Sequence, residues 1–223
     1  MVVQAYYLSA LFPIERAPTL RVPLKRHQGA IKLSCLHAYP VLSLVYDLSG
    51  ARLEDMAVAV AAAAQELERR NIPFNILIAD CARRVFLIPQ CFAERQARGQ
   101  VALEVLESQV NPAVWEISGH LVLKRKEDYE GASESSAWRL LAEVSLSEDR
   151  FEEVKRVCVE EADRASGDLL HTLIPSPVIR AARPDEEAVV HLRVQAEMGI
   201  GKAWKRNGVS TKGKLAPQVV PEL

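Results

Sequence analysis

No apolar run in this chain is long enough to cross a bilayer as a helix. The longest candidate, residues 56–64, is nine residues against the ~18 that a span requires. The start of the chain lacks a basic segment followed by an apolar stretch and a small-residue cleavage site, so no secretory leader is expected. Cysteine is scarce: Cys35, Cys81, Cys91 and Cys158 form no C-x-x-C pair and fit no zinc spacing. They are expected to be reduced, structural thiols in a soluble intracellular protein. A cytoplasmic location is the first expectation and the nucleus the second. Charge of one sign is also missing. With 28 Lys and Arg against 29 Asp and Glu, the net charge of -1 offers no broad attraction to nucleic acid or anionic lipid. There is no G-x-G-x-x-G, no phosphate-binding loop, no H-E-x-x-H and no G-x-S-x-G. The five histidines, His27, His37, His120, His171 and His191, share no metal-ligand spacing. Neither a metal nor a redox cofactor is expected, and neither is a nucleic-acid or membrane partner.

What the chain does have is ordinary globular composition. It has 223 residues, 49% hydrophobic and 26% charged, which suits one domain with or without a tail. Body and tail differ. From residue 175 to the end there are five of the 12 prolines and four of the 10 glycines, and a net charge of +3. A boundary is therefore expected near residue 170, with residues 1–170 as the domain and 171–223 as a variable, flexible tail. The basic stretch 202–214 reads as a solvated end.

Within the body, strands come first and helices after. Residues 2–8 read as an aromatic-rich strand. Pro13, Pro18 and Pro23 divide the next stretch into loops and short extended pieces. Residues 41–46 form a second strand. Ser49 is placed to cap a helix over 51–70, in which Leu53, Met56, Val60, Ala64 and Leu67 recur as a buried stripe. Residues 74–79 and 84–88 read as strands of a hairpin turning through Asp80-Cys81-Ala82-Arg83. Residues 101–109 look helical and residues 114–123 read as a central strand. Helices are expected over 133–144, with Ser133 and Ser136 as rival caps, and from a Ser147 cap to about residue 164. Phe151, Val154 and Val157 or Cys158 would face inward. The pattern implies an α+β fold, a mostly antiparallel sheet with helices packed on one face.

Two segments mix apolar and polar residues densely. One is Gln4-Ala5-Tyr6-Tyr7-Leu8. The other runs from Asn111 through Trp115, Glu116, Gly119 and His120 to the cationic exit Lys124-Arg125-Lys126. Polar groups within a strand core are costly unless paired, which marks such a stretch as a candidate site. His120 stands out because it follows Gly119, where the missing side chain permits close approach of a ligand to the backbone.

These segments resemble the GDP-L-galactose phosphorylase family of plant ascorbate biosynthesis. That family lies in the galactose-1-phosphate uridylyltransferase branch of the histidine-triad superfamily. The resemblance runs over roughly residues 4–155 and includes Phe12-Pro13-Ile14-Glu15, Asn71-Ile72-Pro73-Phe74-Asn75, Pro89-Gln90-Cys91 and residues 109–133. It implies a histidine-triad-like fold and a two-step guanylyl transfer. A histidine nitrogen attacks the α-phosphorus of GDP-L-galactose and expels L-galactose 1-phosphate. Inorganic phosphate then attacks the guanylyl-histidine and releases GDP. The family motif is His-x-His-x-Gln, with the second histidine as nucleophile and the glutamine donating to phosphoryl oxygens. Gln4 matches that glutamine. The nucleophile's position is Val2, so no catalytic residue of the motif is intact beyond Gln4. The resemblance thus implies an N-terminally truncated copy of the domain. It also suggests Asn111, Gly119, His120 and Lys124 as substrate contacts, GDP-sugar and inorganic phosphate as ligands, and no further cofactor. GDP-D-glucose phosphorylase is the alternative activity. A catalytically inert chain that pairs with the full-length enzyme, or a homodimer, is the alternative role.

Overall fold

The computed structural model of the chain describes residue 5 and residues 10–24, 31–110 and 112–168. Its regular elements lie in one compact unit, Ala10–Pro177. They begin with a single helical turn, α1 (Pro13–Arg16). Its proline sits where no amide donor is needed, and the Glu15 carboxylate accepts the Phe12 amide at 2.9 Å. Then come β1 (Thr19–Val22), β2 (Ile31–Leu36) and β3 (Leu44–Leu48). The long helix α2 (Leu53–Arg69) leads into the hairpin β4 (Phe74–Ala79) and β5 (Arg84–Pro89). Four short helices come next: α3 (Phe92–Ala97), α4 (Leu103–Glu107), α5 (Val114–Ile117) and α6 (Lys126–Glu130). The last two are α7 (Glu134–Ala142) and α8 (Glu148–Asp168).

The five strands form one sheet in the order β1-β2-β3-β5-β4, with every neighbouring pair antiparallel. Side chains alternate across it, so adjacent residues of the central strands enter different cores. Leu44, Tyr46, Val85 and Leu87 join Met56, Ala59, Ala63 and Leu67 of α2 and Phe151, Val154 and Cys158 of α8. Val45, Phe86 and Ile88 join Phe12, Ile14, Phe92, Val105, Ile117, Leu140 and Leu141. The two long helices cover one face, as the periodicity implies. The opposite face is closed by short helices and loops and holds a second core of its own.

Several local expectations need correction. The helix expected to be capped by Ser49 starts later, at Leu53. The Asp55 carboxylate takes the capping role, bound to the Arg52 amide at 3.4 Å and to its guanidinium at 2.9 Å. Leu53 is consequently exposed, and Ala59 and Ala63 occupy the stripe instead. The strand expected at 41–46 is displaced to Leu44–Leu48. Strand β2 was not expected, although Ile31-Lys32-Leu33 alternates apolar and polar residues. Residues 114–123 are not a strand. They form the turn α5, then a reversal at Ser118-Gly119 and an irregular stretch. A short apolar run cannot declare its period. Here the Glu116 carboxylate accepts the Ala113 amide at 3.1 Å, which closes a helical turn.

The hairpin at Asp80-Cys81-Ala82-Arg83 is as expected, and it places Asp80, Cys81 and Ala82 at positive φ. Ser133 caps α7 by accepting the Ser136 amide at 3.1 Å, and Ser136 returns the bond to the Ser133 amide. Phe151, Val154, Val157 and Cys158 are all buried. Burial pushes the Cys158 thiol up to about 12 and Cys35 up to about 11, so neither carries appreciable thiolate at neutral pH. No described helix is long and apolar enough to cross a membrane.

Candidate functional site

The stretch after α4 is positioned from below by the second core. Ile117 and Ser118 are fully buried, and the Ser118 hydroxyl donates to the Val114 carbonyl at 2.5 Å. The Tyr39 hydroxyl donates to the Ile117 carbonyl at 2.6 Å, and burial holds this phenol well above its ordinary range. The Ile14 amide donates to the Ser118 carbonyl at 3.2 Å, which fastens α1 to the end of α5. Gly119 then turns the chain at φ +105°. A Cβ there would lie 2.6 Å from the Cγ of Pro13. The close approach that this glycine permits is taken up by the proline ring of α1.

These constraints bring three rings together. Phe12 lies 4.6 Å from His120 and 5.2 Å from Trp115, and Trp115 lies 5.5 Å from His120, all between ring centroids. Phe12 is buried, while Trp115 and His120 are half-buried. Burial pulls the His120 imidazole below its ordinary value, which favours the neutral form. A neutral imidazole can donate from one nitrogen and accept at the other, and the indole beside it offers a flat apolar edge. Beyond them Lys124 is exposed. Its cationic neighbours are engaged locally, Arg125 with Asp128 at 2.6 Å and Lys126 with Glu130 at 3.3 Å. Lys124 has no ion pair among the described residues. No group of acidic, histidine or cysteine side chains suited to a metal occurs among the described residues.

Of the residues singled out from sequence, Gly119 and His120 fall within this cluster, and Lys124 is exposed four residues further along the chain. Val2, Gln4 and Asn111 lie outside the described residues, as do the strand expected at 2–8, apart from Ala5, and the tail 171–223. The sequence reading missed Phe12, Pro13 and Tyr39 as parts of the arrangement. Phe12-Pro13-Ile14-Glu15 carries a visible signal, a proline-initiated turn with its acid three positions after the cap. Nothing local marks Tyr39, because its partner is 78 residues away.

Residues 13–165 match the family described as GDPGP1-like, C-terminal domain. The chain belongs to this family. It is 52% identical over 174 residues to GDP-L-galactose phosphorylase 1 of Arabidopsis thaliana, covering 75% of this chain and 39% of that protein. It is 57% identical over 151 residues to GDP-L-galactose phosphorylase 2 of the same plant, covering 68% of this chain and 34% of that protein. The chain thus spans between a third and two fifths of the curated relatives it matches. No solved structure matches it. The family match contains the whole described cluster and both cores of the sheet except Phe12, which belongs to the cluster and to the second core.

Proposed function

We propose that this chain forms the C-terminal domain of a GDP-L-galactose phosphorylase with a histidine-triad-like fold. The observation that carries the reading is the dense identity to two proteins of that name across the body of the domain. The reaction converts GDP-L-galactose and phosphate to L-galactose 1-phosphate and GDP through a guanylyl-histidine. The attacking imidazole forms a nitrogen–phosphorus bond as the bond from phosphorus to the bridging oxygen breaks, and phosphate later reverses the exchange. The motif's nucleophile position is Val2 here, so the attacking histidine must come from elsewhere. Gln4 and Lys124 are the groups suited to phosphoryl oxygens. His120, neutral and beside Trp115, suits the nucleoside or sugar. GDP-D-glucose is the alternative substrate. Pairing with a full-length copy is the alternative role, favoured by β1, the end strand of the sheet among the described residues, whose side chains are mostly exposed.

A chimera tests this reading. The chain is grafted in place of the matching stretch of Arabidopsis GDP-L-galactose phosphorylase 1, keeping that protein's preceding part intact. Phosphate-dependent release of GDP is then measured with GDP-L-galactose and GDP-D-glucose. The expected result is turnover by the chimera, faster with GDP-L-galactose, and none by the 223-residue chain alone. A folded chimera with no turnover of either sugar refutes the proposal. Turnover by the isolated chain refutes its histidine assignment.

A further inference from the structure

Arg84 takes no part in the proposed reaction, yet it is tied to the turn that carries Phe12. It opens β5 directly opposite Asp47 of β3, with β4 paired on its other side. Side chains alternate along a strand, so Asp47 shares its face with Val45 and Arg84 with Phe86, the face of the second core. Both charged residues are half-buried. The Arg84 Nε donates to the Asp47 carboxylate at 2.6 Å, and its Nη1 donates to the Glu15 carbonyl at 3.1 Å. A guanidinium holds its donors in one rigid plane, so the bond to Asp47 aims the other arm at Glu15. The Glu15 carbonyl needs a donor from elsewhere, because three positions on stands Pro18, which has no amide to give.

We infer that Arg84, oriented by Asp47, is a positioning residue for the substrate site: it seats the α1 turn on the sheet, and α1 in turn holds the His120 and Trp115 rings. The inference rests on the function proposed above, which puts His120 beside the nucleoside or sugar. Each link is a direct contact. Arg84 holds the Glu15 carbonyl, and the Glu15 carboxylate accepts the Phe12 amide at 2.9 Å. Phe12 packs on both rings, 4.6 Å from His120 and 5.2 Å from Trp115. From the other side, the Ile14 amide donates to the Ser118 carbonyl and Pro13 closes on Gly119. A turn of four residues is too short to hold its own shape, so its place is set by what fastens it. Burial of Ile14 presses α1 onto the second core, but apolar burial is non-directional. The bonds at Ser118 and Arg84 aim the turn, and the one from Arg84 is charge-assisted.

The test reads geometry in the 223-residue chain and kinetics in the chimera described above. The geometric reading is the nuclear Overhauser contact between the Phe12 and His120 rings, with the His120 signal identified by its loss in His120→Gln. Arg84→Met removes both bonds and keeps an apolar stem. Arg84→Lys keeps the charge, and Asp47→Asn removes the partner's charge. Val154→Ala, on the helix face, controls for lost stability. Arg84→Met is expected to lose the ring contact and to raise KM for GDP-L-galactose at least ~10-fold, with kcat changed less than ~3-fold, because the rings hold substrate away from the reacting atoms. Arg84→Lys recovers part of both, Asp47→Asn shifts both less in the same direction, and Val154→Ala shifts neither. A folded Arg84→Met variant that keeps the ring contact overturns the inference, as does an equal loss in Val154→Ala. If Arg84→Met does not fold, an unchanged contact and KM in both Arg84→Lys and Asp47→Asn overturns it. An active chimera whose KM ignores Arg84→Met sinks the positioning role alone. A chimera inactive with Arg84 intact sinks the proposed function alone, and the ring contact in the isolated chain still decides whether Arg84 seats α1.

Discussion

The two faces of the sheet are built on different principles. On one, α2 and α8 lie against Tyr46 and Leu87, and their burial repeats every three or four residues. On the other, short helices and loops are fastened by single contacts between distant residues. Tyr39 holds Ile117, Ile14 holds Ser118, Pro13 fills the space beside Gly119, and the Leu42 amide donates to the Ser145 hydroxyl at 3.1 Å. The regular face supplies a foundation. The irregular face carries the ring cluster, where individual side chains can be aimed without the constraint of a helical repeat.

The sharpest way to break this comparison is to ask whether the irregular face is a true core. Phe86 and Leu87 are adjacent in β5, both fully buried, and they enter opposite cores. Truncating buried side chains of this size costs about 2–5 kcal/mol through lost burial and the cavity left behind. Phe86→Ala and Leu87→Ala are both expected to destabilise the chain within that range in urea unfolding. A loss below about 1 kcal/mol for Phe86→Ala alone would mean that the short helices cover the sheet without packing on it.

The difference between the faces also explains what was legible in the sequence. The hairpin β4–β5 was readable because two apolar runs flank a short turn, and α8 because Phe151, Val154 and Cys158 keep helical spacing across two turns. Residues 114–123 were misread because Val114, Trp115, Ile117, Leu121 and Leu123 fit more than one period. What decides their shape is Glu116 closing a turn and Gly119 meeting Pro13, a contact between residues 106 positions apart. Gly119 was expected to permit close approach by a ligand; the group that lies against it here is the Pro13 ring. His120 was noticed for its neighbour, whereas the structure shows that its setting comes from Phe12 and Trp115.

That contact gives the second prediction. Gly119→Ala places a methyl group 2.6 Å from a ring carbon of Pro13 and strains a residue at φ +105°. Backbone conformations this unfavourable for a side chain cost about 1–3 kcal/mol. The variant is expected to lose stability in that range while the helix face keeps its hydrogen-exchange protection. Uniform loss of protection on both faces would show that the two are coupled more tightly than their construction implies.

The smallest effect is a titration. Burial lowers the His120 pKa in the folded chain, with no other cause contributing. An unperturbed histidine titrates near ~6.5. Because the folded value is the lower one, this group's contribution to stability is complete above the unfolded value. It is lost as pH falls through the folded value, where the unfolded chain binds the proton more readily. Nuclear magnetic resonance of the imidazole is expected to show a midpoint below that of a free histidine. Gly119→Ala should move the midpoint back upward, since displacing Pro13 opens the packing around Phe12 and admits water to the ring. An unchanged midpoint in a variant that has lost stability would mean that Trp115 alone shields the imidazole. The α1 turn would then support the fold of this face without setting the chemistry of its histidine.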